Sequence, residues 1–96
     1  MHVISKKSLE EFWQKHADAM DALAAWYSVA KRAEWHSLEE IHQTYPTADA
    51  VERWTIFNIR GNHYRLITTI HFNRQKIYIR HVLTHAEYDQ GNWKRA

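Results

Sequence analysis

The residue types best suited to chemistry lie in the last third of the chain, where a strand-like segment runs into Thr84-His85-Ala86-Glu87-Tyr88-Asp89. Arg65 lies upstream, on another stretch in which apolar and polar residues alternate. A guanidinium can stabilise charge on a phosphate, and an imidazole and a phenol can move protons. These groups together favour an RNA-cutting surface over an ordinary solvated sheet face.

Metal-free RNA cleavage needs a base for the 2′-hydroxyl proton, a cation for the phosphorane and an acid for the departing 5′-oxygen. Arg65 is the expected cation, because its guanidinium stays charged and matches two phosphate oxygens. His85 is expected to act as general acid or base, since histidine exchanges protons near neutral pH. Tyr88 joins His85 in proton transfer or positions a base by stacking, provided that a helical turn follows Thr84.

Each of these residues also has a structural interpretation. Arg65 would then be a strand arginine paired with a carboxylate. His85 would stabilise the turn that follows the strand, and Tyr88 would belong to the core or to a lid. These alternatives remain open at this stage.

A second group of residues is expected to hold RNA without reacting with it. Lys76, Tyr78 and Arg80 alternate along one predicted strand and suit phosphate contacts. Asn62 and His63 lie at a hairpin end and are further candidates, although turn formation alone also explains them. Which of these residues share a sheet face with Arg65 depends on strand register, because a slip of one residue inverts every side chain.

No metal site and no cofactor are expected. The chain contains no cysteine, which excludes disulfides and thiolate zinc sites. His81 and His85 are four residues apart, but no helix is predicted there and no acidic cluster completes a site. The longest apolar run is far too short to cross a bilayer, and no signal segment is apparent, so a cytoplasmic protein without membrane contact is expected.

The elements that must position these residues follow from hydrophobic periodicity. Helical spacing predicts one helix over residues 5–16 and a second that starts at Asp18 or Asp21 and ends near Arg32, forming a helical hairpin. Ser37 and Glu40 have capping-box spacing and predict a short third helix ended by Tyr45-Pro46. The segment 47–50 is predicted to be a loop.

Beyond residue 53 the period changes to two, which predicts three antiparallel strands joined by turns at 60–62 and 73–75. His2-Val3-Ile4 is predicted to be an edge strand. The fold class is therefore α+β in a single domain of residues 1–96, with the helical hairpin on one face of a small, mainly antiparallel twisted sheet.

Charge is divided unevenly along the chain. Residues 1–50 carry five Lys/Arg and eight Asp/Glu, whereas residues 51–96 carry eight and three. The first half is therefore acidic and the half with the candidate site is basic. This asymmetry indicates an anionic partner, with nucleic acid the leading candidate, although a solvated sheet would show the same excess.

Seven segments of the chain share a family pattern: Met1-His2-Val3-Ile4-Ser5, Tyr45-Pro46-Thr47, Phe57-Asn58-Ile59, Gly61-Asn62, Tyr64-Arg65-Leu66-Ile67, Gln75-Lys76-Ile77-Tyr78-Ile79-Arg80 and Thr84-His85-Ala86-Glu87-Tyr88-Asp89. In these segments the chain resembles the HigB toxins, which belong to the RelE-like superfamily of mRNA interferases. Two departures are the turn Arg60-Gly61-Asn62, where the family has Gly-Gly-Asn, and the segment 48–53, which lacks the usual aromatic and lysine pattern.

The resemblance implies the toxin of a type II toxin–antitoxin pair, a ribosome-dependent and metal-independent endoribonuclease that cuts mRNA on the 70S ribosome. It implies a HigA-like antitoxin with a helix-turn-helix domain, and contact with operator DNA only through the toxin–antitoxin complex. Two rival hypotheses are a basic module that blocks translation without cutting, and a protein-binding subunit that uses its Trp-rich helices.

Overall fold

The computed structural model describes residues 1–95, and its sheet lies against helices from the first half of the chain. In chain order the main elements are β1 (His2–Ile4), α1 (Lys6–Lys15), α2 (Met20–Arg32), α3 (Leu38–Thr44), β2 (Asp49–Val51), β3 (Trp54–Ile59), β4 (Tyr64–His71), β5 (Lys76–Thr84) and α4 (His85–Gln90). The strands are ordered β1-β5-β4-β3-β2. Among the strand pairs within residues 1–95, β1–β5 alone is parallel, which confirms the predicted α+β class and the edge position of β1.

The first two helices form the predicted hairpin. Leu9 of α1 and Leu23 of α2 are fully buried, and Trp26 of α2 packs edge-on against Phe57 of β3 with ring centroids 5.3 Å apart. Burying a leucine side chain completely stabilises a fold by about 1.5–3 kcal/mol. The apolar stripes of α1 and α2 therefore fix the hairpin to one face of the sheet.

The third helix begins as its sequence predicts. The Ser37 hydroxyl accepts a hydrogen bond from the Glu40 backbone N–H at 3.3 Å, which satisfies one of the free N–H groups of the first turn. The helix ends at Thr44, and Tyr45 takes a non-helical conformation before Pro46.

The predicted loop at 47–50 was wrong in its second half. Asp49–Val51 forms β2, an antiparallel edge strand in which Ala50 pairs with Thr55. The segment carries no clear alternation of its own, so its pairing with β3 comes from the tertiary structure and not from local propensity.

The two faces of the sheet carry separate apolar clusters. Leu66 and Phe57 belong to the large cluster under the helices, whereas Ile67 belongs to a smaller cluster with Trp54 and Trp93 on the other face. Because side chains alternate along a strand, Arg65 shares the second face with Ile67. The register is now fixed: Arg65 lies opposite Asn58 of β3 and Leu83 of β5.

A β-bulge in β5 corrects one expectation. Ile67 pairs with His81, but the next residue, Thr68, pairs with Ile79, so Arg80 is the extra residue on β5. The alternation of Lys76, Tyr78 and Arg80 predicts that the residues between and beyond them, Ile77, Ile79, His81 and Leu83, share the other face. Instead Ile77 and Ile79 face the helices while Leu83 lies in the second cluster. A local bulge changes the side-chain alternation, which a period-two pattern does not reveal.

Candidate active site

Arg65 is held in a fixed position at the start of β4. Its Nη2 donates to Oδ1 of Asn62 at 2.7 Å, and its Nη1 donates to the carbonyl oxygens of Asn62 and Tyr64 at 3.2 Å each. The residue is only 8% exposed, and within residues 1–95 it forms no ion pair with a carboxylate. The positive charge of Arg65 is therefore not compensated by a carboxylate among the described residues, and a buried cation of this kind favours an anionic ligand.

Tyr88 of α4 covers this arginine. The Arg65 guanidinium carbon lies 5.3 Å from the centroid of the Tyr88 ring, a cation–π distance. The same ring stacks on Trp93 with centroids 5.4 Å apart, and the Trp93 indole N–H donates to the Tyr88 carbonyl at 3.1 Å. Trp93 in turn packs edge-on against Trp54. The C-terminal segment is thus anchored on the second face of the sheet, over Arg65.

The helix that carries the candidate proton-transfer groups begins at a complete capping box. The Thr84 hydroxyl accepts from the Glu87 N–H at 3.2 Å, and the Glu87 carboxylate accepts from the Thr84 N–H at 2.9 Å. His85 is the first helical residue, and its Nδ1 lies 2.9 Å from Oδ2 of Asp89. The condition set for Tyr88 is met, because one helical turn brings it alongside His85.

The hairpin between β3 and β4 joins these parts together. The His63 carbonyl accepts from the His85 backbone N–H at 3.1 Å, and the His63 Nδ1 lies 2.9 Å from the Arg60 carbonyl. The turn is fixed from the helical side by Asp18, which pairs with Arg60 at 3.3 Å and accepts from the Tyr64 hydroxyl at 2.5 Å. The hydrogen bond from Tyr64, aided by the charge of Arg60, lowers the pKa of the Asp18 carboxyl.

Among the sequence-predicted residues, the structure brings together Asn62, His63, Arg65, His85 and Tyr88. We call this group the Arg65 site. The His63 ring is turned onto its own hairpin, as the turn interpretation expects. No group of three or more His, Cys, Asp or Glu side chains within residues 1–95 is arranged to hold a metal ion.

Lys76, Tyr78 and Arg80 lie elsewhere on the same face. Tyr78 pairs with Thr69 and Lys76 with His71, which are four and six residues beyond Arg65 on β4. At about 3.4 Å per residue these positions lie roughly 14 and 20 Å from Arg65 along the strand. The expected phosphate-binding residues therefore do not join the Arg65 site.

Arg80 lines instead an open depression of about 740 Å³ beside the bulge, here called the bulge pocket. Its lining residues are Arg53, Trp54, Thr69, Ile70, His71, Arg80 and His81. Burial and the neighbouring Arg80 lower the pKa of His81, so this imidazole is neutral at neutral pH.

Sequence reasoning assigned no role to three residues that matter here. Asp89 orients His85, Trp93 supports Tyr88, and Arg53 lies at the bulge pocket. A signal for the first was present, because the Thr84-x-x-Glu87 spacing predicts a helix that places Asp89 one turn after His85. No local pattern indicates the contacts of Trp93 or Arg53.

Comparisons with known proteins agree with this geometry. Residues 19–91 match the model of a family described as HigB_toxin, the RelE-like toxic component of a toxin–antitoxin system. The chain belongs to the HigB toxin family. Two similar relatives are the mRNA interferase HigB of Escherichia coli O6:H1, 32% identical over 94% of this chain and 90% of the relative, and the mRNA interferase toxin HigB of Escherichia coli K12, 30% identical over 93% and 88%.

Membership of the HigB family confirms the resemblance noted in the sequence and the RelE-like fold. A HigB-family toxin has an antitoxin as its partner, as the family description states. None of the helices within residues 1–95 is long and apolar enough to span a lipid bilayer.

Proposed function

We propose that this HigB-family toxin cleaves mRNA during translation, without a metal ion, at the Arg65 site. The observation that carries the proposal is the placement of Arg65, a buried guanidinium with neutral acceptors and no carboxylate partner among the described residues, next to the helix of His85 and Tyr88. The mRNA interferase names of the relatives support an endoribonuclease that acts on mRNA.

In the proposed mechanism His85 is the general base. Its Nδ1 faces the Asp89 carboxylate, which only accepts hydrogen bonds, so in the neutral ring the proton lies on Nδ1 and Nε2 keeps its lone pair. Nε2 removes the 2′-hydroxyl proton, and the 2′-oxygen then forms a bond to the adjacent phosphorus. A positioned base of this kind accelerates such a reaction by about 10²–10⁴-fold.

Arg65 is the proposed electrostatic catalyst. Its guanidinium faces the extra negative charge that the phosphorane gains when the 2′-oxygen adds to phosphorus. Its three hydrogen bonds to Asn62 and Tyr64 hold the group before RNA arrives, so little reorganisation is needed. The Tyr88 ring holds the guanidinium from another side.

Tyr88 is the proposed general acid. Within the described part of the chain its hydroxyl makes no hydrogen bond, while its ring is engaged with Arg65 and Trp93. The hydroxyl gives its proton to the 5′-oxygen as the phosphorus–oxygen bond breaks. The products are a 2′,3′-cyclic phosphate on one fragment and a 5′-hydroxyl on the other, so every proton and bond is accounted for.

The partners implied by the family complete the proposal. The antitoxin is a HigA-like protein with a helix-turn-helix domain, and operator DNA is bound only through the complex of the two proteins. The toxin encounters mRNA on the 70S ribosome in the bacterial cytoplasm. The excess of basic residues in the half of the chain that carries the site supports a ribonucleic acid partner.

The test is expression of the chain in bacteria with 5′-end mapping of cellular RNA. The expected result is growth arrest with new 5′-hydroxyl ends in translated mRNA, and loss of both in Arg65→Ala and His85→Ala variants that remain folded. Lys15→Ala is the matched control, because it removes one exposed positive charge from α1, outside the Arg65 site.

Purified components separate cutting from blocking. Cleavage is expected on ribosomes that carry mRNA and not on the same mRNA alone. Arrest without new ends would contradict the proposal and indicate a module that blocks translation. Continued toxicity of both folded variants would remove the Arg65 site from the mechanism.

A further inference from the structure

The bulge pocket is a second candidate binding site on the sheet face of Arg65, and the proposed cleavage reaction makes no use of it. It is a wide depression bordered by β3, β4 and β5, and it lies beside the bulge that makes Arg80 an extra residue opposite β4. Bulges often redirect a side chain next to a functional site.

The charged residues that line this depression are arginines. Its lining includes Arg53 and Arg80 and contains no carboxylate among the residues that the structure describes. The Arg80 Nε donates to the Thr69 hydroxyl at 2.9 Å, which orients the guanidinium while its two Nη groups make no hydrogen bond within residues 1–95. An exposed and oriented guanidinium fork is well suited to a phosphate.

Aromatic rings lie at and next to the same depression, since His71 lines it and Tyr78 contacts the lining residues Arg80 and His71. The Arg80 guanidinium carbon lies 4.9 Å from the centroid of the Tyr78 ring, and the exposed His71 ring packs edge-on against Tyr78 at 5.4 Å. Guanidinium planes and aromatic rings are the surfaces on which single-stranded bases stack. Cations beside stacking surfaces favour a nucleotide over a simple anion.

The bulge pocket is also connected to the Arg65 site. From Arg65 the contacts run through Tyr88, Trp93 and Trp54 to Arg53, whose guanidinium carbon lies 4.6 Å from the Trp54 ring centroid. Both sites lie on one sheet face, separated by roughly 14 Å along β4. One extended RNA strand can therefore occupy both at once.

We propose that the bulge pocket binds a nucleotide of single-stranded RNA, with the phosphate on Arg80 and the base stacked against Tyr78 and His71. The proposal rests on the proposed function only for the choice of RNA as ligand. The nucleotide belongs to the mRNA strand that is cut or to ribosomal RNA, and the chemistry of recognition is the same.

The test uses the His85→Ala protein, which leaves the RNA intact, and a fluorescent 12-nucleotide single-stranded RNA whose binding is followed by anisotropy over a range of salt concentrations. Adding Arg80→Ala is expected to weaken binding about tenfold and to reduce the salt slope by about 0.7, the value for one phosphate contact on a single strand. Lys7→Ala, which removes an exposed positive charge from α1, is the charge-matched control and is expected to change neither.

A second pair of variants tests stacking. Tyr78→Leu keeps the bulk of the side chain but removes the ring, and is expected to weaken binding about tenfold with an unchanged salt slope. Tyr78→Phe is expected to bind like the parent. The proposal is overturned if, on the oligonucleotide and on ribosomes alike, Tyr78→Leu binds normally or Arg80→Ala has no more effect than Lys7→Ala.

Two further arms identify the source of the nucleotide. Defects on the free oligonucleotide place the mRNA strand in the bulge pocket, whereas defects seen only with ribosomes that lack mRNA place ribosomal RNA there. A chain that binds through Arg80 and Tyr78 but never cuts would contradict the proposed function alone. A chain that cuts RNA, but in which Arg80→Ala and Tyr78→Leu leave binding unchanged, would contradict this inference alone.

Discussion

The imidazole of His85 and the carboxylate of Asp89 face each other across one turn of α4, with Nδ1 and Oδ2 2.9 Å apart. A carboxylate has no proton to donate, so this contact selects the tautomer in which Nε2 is unprotonated. Both side chains are close to half exposed or more, which makes the pair a minor contributor to stability. Its consequence lies in which nitrogen of His85 is available to a substrate.

Replacing Asp89 by Asn is expected to slow cleavage about tenfold, because the loss of one charge-assisted hydrogen bond of about 1.5 kcal/mol allows the other tautomer. The melting temperature should stay within a degree or so, since exposed i,i+4 pairs contribute only about 0.3–0.5 kcal/mol. Single-turnover cleavage on programmed ribosomes measures the rate.

The chain offers a matched control for this substitution. His36 and Glu40 form another exposed i,i+4 pair at 3.3 Å, near the start of α3 and outside the Arg65 site. Glu40→Gln is expected to leave the cleavage rate unchanged. Full activity of Asp89→Asn would show that Asp89 does not orient His85 for catalysis.

Tyr88→Phe separates the two functions of Tyr88. The ring contacts with Arg65 and Trp93 remain in this variant, and only the hydroxyl is lost. Cleavage is expected to fall by at least about a hundredfold if the phenol is the general acid, while thermal stability is retained. A Phe variant that cuts at the parent rate would assign Tyr88 to positioning Arg65.

Thr84→Ala removes the hydroxyl that caps α4. The expected loss is about 1 kcal/mol of stability, equivalent to a melting temperature lower by about 4–8 °C in a domain of this size. Cleavage should fall as well, because α4 carries both proton-transfer groups. Thr84→Ser keeps the hydroxyl and is expected to restore both; a Ser variant as impaired as the Ala variant would exclude the cap as the cause.

Acid stability should depend on Asp18. The hydrogen bond from Tyr64 lowers the pKa of this carboxyl below its ordinary value of 3.8 in the folded protein, so the ionised form stabilises the fold. The stabilisation from ionised Asp18 is complete above pH 3.8 and is lost as the pH falls through the lowered pKa of the folded protein.

Urea unfolding at about pH 5 and about pH 2.5 measures this contribution. Asp18→Asn is expected to be less stable than the parent at the higher pH and to lose less stability between the two. The control is Asp21→Asn on the exposed side of α2, which should follow the parent. Parallel curves for all three proteins would show that Asp18 makes no such contribution.

Periodicity predicted the helices and the three long strands because their apolar residues recur at the spacing of the face that they bury. Leu9, Trp26 and Leu66 illustrate this, since each lies on the more apolar face of its element and is buried in the large cluster. The short strand around Ala50 and the bulge at Arg80 were not predicted, because both arise from pairing with another strand.

The candidate site was predictable in its residue types and not in its geometry. Arg65 and His85 were expected to meet if the register allowed it, and the backbone bond between His63 and His85 brings the two strand ends together. The separation of Arg65 from Arg80 along the sheet was not predicted. It depends on strand register, for which the sequence carries no local signal.

The parallel pair of β1 and β5 has a consequence for biosynthesis. His2 pairs with Lys76, so the chain must be made at least as far as residue 76 before the first strand finds its partner. Contacts so distant in sequence form late, and α4 follows β5 directly. A ribosome that synthesises this chain therefore passes β5 before a folded toxin exists. An antitoxin that is already present can bind the toxin as soon as it folds.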